Sequence, residues 1–311
     1  MTGRRPRLLV IAGPTASGKS ALAAKLANAL GGEVVSADSQ QVYQGFDIGT
    51  AKPTVDELAL APHHLISILD SREARMDAAR YADRADEAIL EIASRGHVAV
   101  VAGGTGLYLR ALLHGVMDAP GRDQAFRDAL RLRAADVGWP ALHAELAEKD
   151  PDAAAVITPN DRVRIERSLE LIANTGQLAS ALRKAHGFLP ARYAFLGLRL
   201  ELPRELLYAR IDARTQAMFD GGLLDETQRL LEQGLGDAPP MSSIGYVQAN
   251  ALLRGELTRE AAIADAAQQT RKYAKRQLTW FKKEPGFRAI GLLDDAGFGA
   301  LIDEARAFLN R

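Results

Sequence analysis

The run Gly13-Pro14-Thr15-Ala16-Ser17-Gly18-Lys19-Ser20 meets every fixed position of Gly-x-x-x-x-Gly-Lys-Ser/Thr, the spacing of a phosphate-binding loop. The glycines let several backbone N–H groups converge on one anion. A helix behind the loop adds the positive end of its dipole. Lys19 brings a full charge, and the Ser20 hydroxyl can hold a magnesium ion. A second candidate is Asp38, at the end of the mostly apolar run Glu33-Val34-Val35-Ser36-Ala37. A third is Gly103-Gly104-Thr105, where glycines permit close backbone approach and Thr105 offers a hydroxyl. Hydrolytic proteins with such a loop usually end an apolar strand with an acid that orients magnesium. Here Val98 to Ala102 ends in glycines. That shifts weight from ATP hydrolysis towards chemistry in which the bound phosphate leaves and Asp38 acts as base. On spacing alone, Asp38 reads equally as a loop acid capping a turn.

These groups need elements to bring them together. Leu8 to Ala12 reads as a buried strand before the phosphate loop. Leu22, Leu26 and Leu30 then mark one face of a helix, stopped by Gly31-Gly32. A strand–helix–strand unit of this length makes its strands parallel, so Asp38 and the phosphate loop share one sheet edge. His97 to Ala102 is a third strand opening on that edge. Between them, residues 44–75 read as a long irregular excursion, with His63-His64 in a packed loop rather than on a metal. The fold class is therefore α/β: a parallel sheet flanked by helices around a P-loop core, with a helical insertion. Residues 1–110 form the first part of the core, 111–190 the insertion, and 191–311 the second part.

Composition narrows the choices. The 311 residues hold 39 Lys plus Arg and 39 Asp plus Glu, so no global field attracts nucleic acid and any attraction must be local. Cysteine is absent, which removes disulfides, thiol catalysis and Cys-ligated zinc. Met1 to Arg7 is basic, but the apolar run after it is too short for a secretory core. No stretch is long enough to span a membrane. A cytoplasmic protein, working as a monomer, is expected.

The ordered set Gly13–Ser20, Asp38-Ser39-x-Gln41-x-Tyr43, Pro62-His63-His64 and Gly103-Gly104-Thr105-x-x-Tyr108 resembles the bacterial tRNA dimethylallyltransferases, the IPP transferase family. Asn160-Asp161 with Arg164 and Arg167, Arg214 with Met218, Gly245-Tyr246, and Lys275-Arg276-Gln277 with Trp280 continue the likeness. The resemblance implies transfer of a dimethylallyl group from dimethylallyl diphosphate to N6 of the adenosine 3′ to the anticodon. It implies that Gly13, Pro14, Thr15, Ala16, Ser17, Gly18, Lys19, Ser20 and Arg214 hold the diphosphate, with Mg2+ at Ser20. Asp38 would take the N6 proton, and Thr105 would sit beside the adenine or its ribose. The anticodon stem-loop of the tRNA would meet Asp38, Ser39, Gln40, Gln41, Thr105, Arg127, Arg164, Arg167, Gly245, Tyr246, Lys275, Arg276, Gln277 and Trp280. Such a base must be splayed out of its loop to be reached. Val247 stands where the family often has a basic residue, so the resemblance implies no phosphate contact there.

Plainer readings stand beside these. Arg127, Arg131, Arg164 and Arg167, with Glu166 and Glu170 nearby in sequence, also suit an ordinary charged helix face. The long helix expected from Thr258 to about Lys283 carries Arg271, Lys272, Lys275, Arg276, Lys282 and Lys283 with Tyr273, Trp280 and Phe281 interleaved. That concentration suits a phosphate-lined strand, but also a solvated helix over an aromatic core. A prenyltransferase on free adenine nucleotides, a small-molecule kinase and a non-catalytic RNA-binding protein remain as rival functions. If Lys275 and Arg276 meet RNA, neutralising both should flatten the salt dependence of tRNA binding; an unchanged slope would place them elsewhere.

Overall fold

The structure, a computed structural model of the chain, describes residues 5–72, 75–117, 119–186 and 190–310. The first four residues of the basic Met1–Arg7 stretch lie outside it. In chain order it holds β1 Leu8–Ala12, α1 Lys19–Leu30, β2 Gly32–Ser36, α2 Val55–Leu60, β3 His63–His64, α3 Ala78–Ser94, β4 Val98–Gly103 and α4 Gly106–His114. Helices α5 Gln124–Val137, α6 Trp139–Lys149, α7 Pro151–Ala155, α8 Arg162–Thr175 and α9 Ala179–His186 follow. Then come β5 Phe195–Leu200, α10 Arg204–Asp220, α11 Leu223–Glu232, α12 Tyr246–Leu253, α13 Arg259–Phe281, β6 Phe287–Ile290 and α14 Asp295–Leu309. By packing, the chain divides into two compact units: Met1–Leu113 with Ala191–Arg311, and His114–Pro190. Among the described residues, no helix is long and apolar enough to cross a membrane.

Among the described residues, six strands form one parallel sheet in the order β3-β2-β4-β1-β5-β6. Strand β1 is Leu-Leu-Val-Ile-Ala, buried at every position, as a parallel strand covered on both faces must be. Leu8 and Val10 face a core with Tyr81, Tyr108, Tyr246 and Phe281. Leu9 and Ile11 face the opposite core, with Leu26 of α1 and Leu301 and Ala305 of α14. Each such aliphatic side chain contributes about 1.5–3 kcal/mol by leaving water. From β1 the chain moves to one side, to β2 and back to β4; from β4 it crosses to β5 on the other side of β1. Strands β1 and β4 therefore flank a topological switch point, where open sheets of this kind leave a crevice at their carboxyl ends.

Local chemistry refines the sequence reading. Residues 44–75 are less irregular than expected. Thr54 and Glu57 close a capping box at α2. His63-His64 is an edge strand beside β2, in register with Val34 and Val35, rather than a loop. The cause is Glu33, 3% exposed, which accepts hydrogen bonds from His64 Nε2 at 2.6 Å and Arg95 Nη2 at 2.9 Å and lies 2.7 Å from His97 Nδ1. A buried carboxylate needs such partners, and spacing in sequence does not reveal them. A 3₁₀ turn, Pro239–Ser242, precedes α12.

The unit His114–Pro190 has its own core of Leu130, Leu142, Leu146, Ile157, Ile165 and Leu169. Asp123, Asp150 and Asp161 cap the starts of α5, α7 and α8. One ion cluster joins α5 to α8. Arg127 donates to Glu170 through Nε and Nη2, each at 2.7 Å, and its Nη1 lies 3.2 Å from Glu166. Arg167 and the Asp123 amide also donate to Glu170, at 2.6 and 2.7 Å. Arg127 is thus not available to RNA as the family resemblance implies. It is 9% exposed and every arm of its guanidinium faces a carboxylate.

Burial would raise the Glu170 carboxyl, but hydrogen bonds from Arg127, Arg167 and the Asp123 amide hold it at about 2. A carboxyl depressed in the folded chain stabilises fully above its unfolded value and loses that contribution as pH falls towards 2. Amides of α5 and α8 should therefore exchange hydrogen faster as pH drops below about 4.5, after correction for intrinsic rates. Glu170→Leu should remove that acid dependence and destabilise these helices by about 3 kcal/mol at neutral pH, because it leaves Arg127 buried with one carboxylate fewer.

Candidate active site

The phosphate loop occupies the carboxyl end of β1, and Lys19 is the first residue of α1. The turn into the helix needs a left-handed residue, which Gly18 supplies at φ 92° without a Cβ clash. The first-turn amides of α1 have no intrahelical acceptor and face the loop. Lys19 is half-buried, with Nζ 3.4 Å from the Pro14 carbonyl. Burial lowers its ammonium to about 8; Asp38 opposes that shift and Arg214 adds to it. Arg214, on α10, donates to the Thr15 hydroxyl. Burial depresses its guanidinium as well, again opposed by Asp38. Two partly desolvated cations and one carboxylate therefore feel one another around this loop. An arriving polyanion restores what the cations lost in leaving water.

Asp38 follows β2. Its Oδ1 accepts the amides of Gln40, at 2.9 Å, and Gln41, at 3.3 Å, in a tight turn. No hydrogen bond reaches Oδ2 from the described residues. Thr105, past the end of β4, braces the turn: its hydroxyl accepts the Ser39 amide at 3.1 Å, and its own amide donates to the Ala37 carbonyl at 3.2 Å. Thr105 thus acts on the turn that carries Asp38. Gln41 is tied down too, its Nε2 donating to the Ala51 carbonyl at 2.8 Å and its Oε1 accepting the Ser36 hydroxyl at 3.2 Å.

A cavity of about 400 Å³ opens between these groups. Thr15, Arg214, Asp38, Ser39 and Gln40 give it a polar wall, while Met218, Ile244 and Tyr273 supply apolar surface. Burial and the Asp38 charge push the Tyr273 phenol up to about 12, so it stays neutral and donor-competent at physiological pH. Behind Asp38 a much smaller space, about 20 Å³, is lined by Lys19, Ser20, Ser36 and His63. Gly49, Thr50 and Ala51 close the larger cavity on one side. Glu226 holds that wall: it accepts the amides of Asp47 at 3.1 Å, Ile48 at 3.0 Å and Gly49 at 3.2 Å, and the Tyr246 hydroxyl. Sequence reasoning missed Glu226. An acid in the first turn of a helix looks like a dipole partner, and nothing in its spacing betrays loop amides some 180 positions away.

The remaining candidates separate into groups. Tyr246 is fully buried, so it supports the cavity wall rather than touching RNA; Gly245, also buried, starts α12. Gln277 is 7% exposed and lies between the phosphate loop and Gly104, not at a surface. Trp280 is half-buried under the Arg110 guanidinium, 4.3 Å from its ring. Arg271 pairs with Asp212. Arg164 is exposed, 3.4 Å from Asp161, and Arg167 donates to Glu170 and to the Pro120 carbonyl. Lys275 and Arg276 are exposed on α13, and Arg276 also lines the large cavity.

The family model described as IPP transferase matches residues 41–284. A tRNA dimethylallyltransferase of Myxococcus xanthus is 58% identical over 283 residues, covering 91% of this chain and 92% of the relative. One from Anaeromyxobacter sp. (strain K) is 57% identical over 280 residues, 90% and 91% of the two chains. Among solved structures, the tRNA isopentenylpyrophosphate transferase of Staphylococcus epidermidis aligns with TM-score 0.69 at 38% identity, over 98% of this chain and 99% of that one. A eukaryotic dimethylallyltransferase acting on tRNA aligns with TM-score 0.79 at 29% identity, over 97% and 77%.

If the Lys19 ammonium is part of the anion cradle, affinity for inorganic diphosphate should fall up to about tenfold per pH unit above about 8, as that ammonium is lost from the empty site. Diphosphate itself titrates in this range, so the readout is the difference from Lys19→Arg, which stays charged. Titration calorimetry at several pH values that gives parallel curves for the two proteins would place the lysine outside the cradle.

Proposed function

The chain belongs to the IPP transferase family, and we propose that its phosphate loop and Asp38 carry the transfer of a dimethylallyl group from dimethylallyl diphosphate to N6 of the tRNA adenosine 3′ to the anticodon. It is a prenyl transferase acting on tRNA. The finer reading rests on one observation: Asp38 lines the same cavity as Thr15 of the phosphate loop and Arg214, so a base and an anion cradle border one space.

The N6 amine of adenine is a poor nucleophile because its lone pair is delocalised into the ring. Asp38 removes its proton through Oδ2, the oxygen outside the turn hydrogen bonds, as the new bond forms. The nitrogen–carbon bond forms while the allylic carbon–oxygen bond breaks, and that bond's electron pair leaves with diphosphate. Lys19, Arg214 and the first-turn amides of α1 take up the leaving charge, which is where stabilisation matters most. Met218, Ile244 and Tyr273 offer the surface a five-carbon chain needs and keep water from the allylic carbon.

Magnesium suits the donors present in a limited way. Ser20 and Asp38 line the small space beside Lys19, but no cluster of three or more His, Asp or Glu that could hold a metal occurs among the described residues. Ser20 would contribute one oxygen and the diphosphate and waters the rest, the usual habit of this ion. When bound, it neutralises charge on the leaving group.

Incubation with dimethylallyl diphosphate, magnesium and unmodified tRNA should give an adenosine heavier by one dimethylallyl group in mass analysis of the nucleosides. ATP consumption without that product would point to a kinase instead. Asp38→Asn should lower turnover by about 10²–10⁴-fold and leave tRNA affinity nearly unchanged, because the proton moves only in the transition state. Lost RNA binding with intact turnover would reject the role given to Asp38.

A further inference from the structure

Gln277 sits on α13, far in sequence from both groups that its carboxamide hydrogen-bonds. Its Oε1 accepts the Thr15 amide at 2.9 Å, and its Nε2 donates to the Gly104 carbonyl at 2.9 Å. The two contacts ask for opposite things, since Thr15 N–H can only donate and the Gly104 carbonyl can only accept. A carboxamide supplies one acceptor and one donor at a single chain end; a carboxylate lacks the donor and an aliphatic side chain lacks both. The fit is close. A Cβ at Gly104 would stand 2.4 Å from Gln277 Nε2, so a side chain there would displace the carboxamide.

The contacts join the two halves of the site. Thr15 belongs to the loop that cradles the diphosphate. Gly104 is followed by Thr105, whose hydroxyl holds the Ser39 amide and so fixes the turn carrying Asp38. Thr15 is gripped a second time, through its hydroxyl, by Arg214 of α10. Helices α10 and α13 meet through Leu207, Ile211 and Ala274, with Ala16 of the loop against them. The loop is thus seated on a rigid helix pair, and Gln277 extends that seating to the opposite loop.

We propose that Gln277 is a positioning residue that sets the separation between the diphosphate cradle and the Asp38 turn. It touches neither substrate. It acts through Thr15 on one side and through Gly104, Thr105 and Ser39 on the other. Displacement of a reacting group by about 1 Å costs on the order of 100-fold in rate, which is the size of effect such a spacer controls. This rests on the transfer reaction proposed above.

The test compares wild type with Gln277→Leu and Gln277→Glu in tRNA prenylation from about pH 6 to about pH 8. Gln277→Leu removes both hydrogen bonds. Its kcat should fall on the order of 100-fold, by a factor that does not vary with pH. Its affinities for inorganic diphosphate and for tRNA, measured by calorimetry, should stay close to wild type. Gln277→Glu keeps the shape. It should be impaired at about pH 8 and recover on acidification, because a protonated carboxyl again donates to the Gly104 carbonyl. Burial and the Gly104 carbonyl, which needs a donor, push that carboxyl up from its usual value.

Unchanged kcat in Gln277→Leu would overturn the proposal. So would a defect in Gln277→Glu that ignores pH, or a kcat loss in both variants that merely tracks the unfolded fraction in a thermal melt. An inactive wild type would count against the transfer reaction itself, whereas an active wild type with indifferent variants counts only against Gln277.

Discussion

Lys19 and Arg214 are held partly out of water with one carboxylate, Asp38, among them, and that charge arrangement underlies the whole site. Removing a cation from water is unfavourable, and a neighbouring cation makes it worse. The chain accepts this because its folded backbone leaves little alternative. Lys19 is fixed as the first residue of α1, and Arg214 is fixed by α10 and its bond to the Thr15 hydroxyl. Both cations therefore gain from a neighbouring anion, and the loop's charge is of the sign that favours one.

The parallel sheet supplies the stage at low complexity. Three loops leave the carboxyl ends of β1, β2 and β4, and each contributes one function: the cradle, the carboxylate turn and its brace at Thr105. None of these loops could hold its shape alone. The brace is a side chain to backbone bond between two of them, and the far wall of the cavity hangs on Glu226 in the same manner. Acceptors satisfied by loop amides recur at the half-buried Asp38 and at the buried Glu226 and Gln277. Irregular backbone can be made rigid this way without secondary structure.

How much of this the sequence disclosed depends on how local the determining physics is. The strand, glycine turn and helix around Lys19 are set within some twenty residues by apolar periodicity and left-handed geometry, and they read directly. The parallel sheet follows from the alternation of buried runs and helices. For Gln277 and Tyr246 the RNA contacts are what the family resemblance implies, not what their spacing shows. Their burial comes from partners 262 and 20 positions away, to which no local pattern points. Arg127 belongs to the middle case. Glu166 and Glu170 were visible as partners in the sequence, but only packing of α5 on α8 decides that they take every arm of the guanidinium. Asp38 was found as a strand-end acid, and the sequence alone left it equally a turn cap. In the structure it is a turn cap through Oδ1, with Oδ2 outside that turn.

The sheet's outer margins carry a different consequence. One ends in β3, two residues long, and the other in β6, four residues long and bearing Arg288 outward. An unpaired strand edge invites an extended segment from another molecule to add itself by backbone bonding, and the invitation grows with the length of flat edge on offer. Margins this short give an intruding strand almost no ladder to build on. The molecule can thus carry a sheet of mostly bare aliphatic strands at its centre and still resist fibrous self-association while it folds.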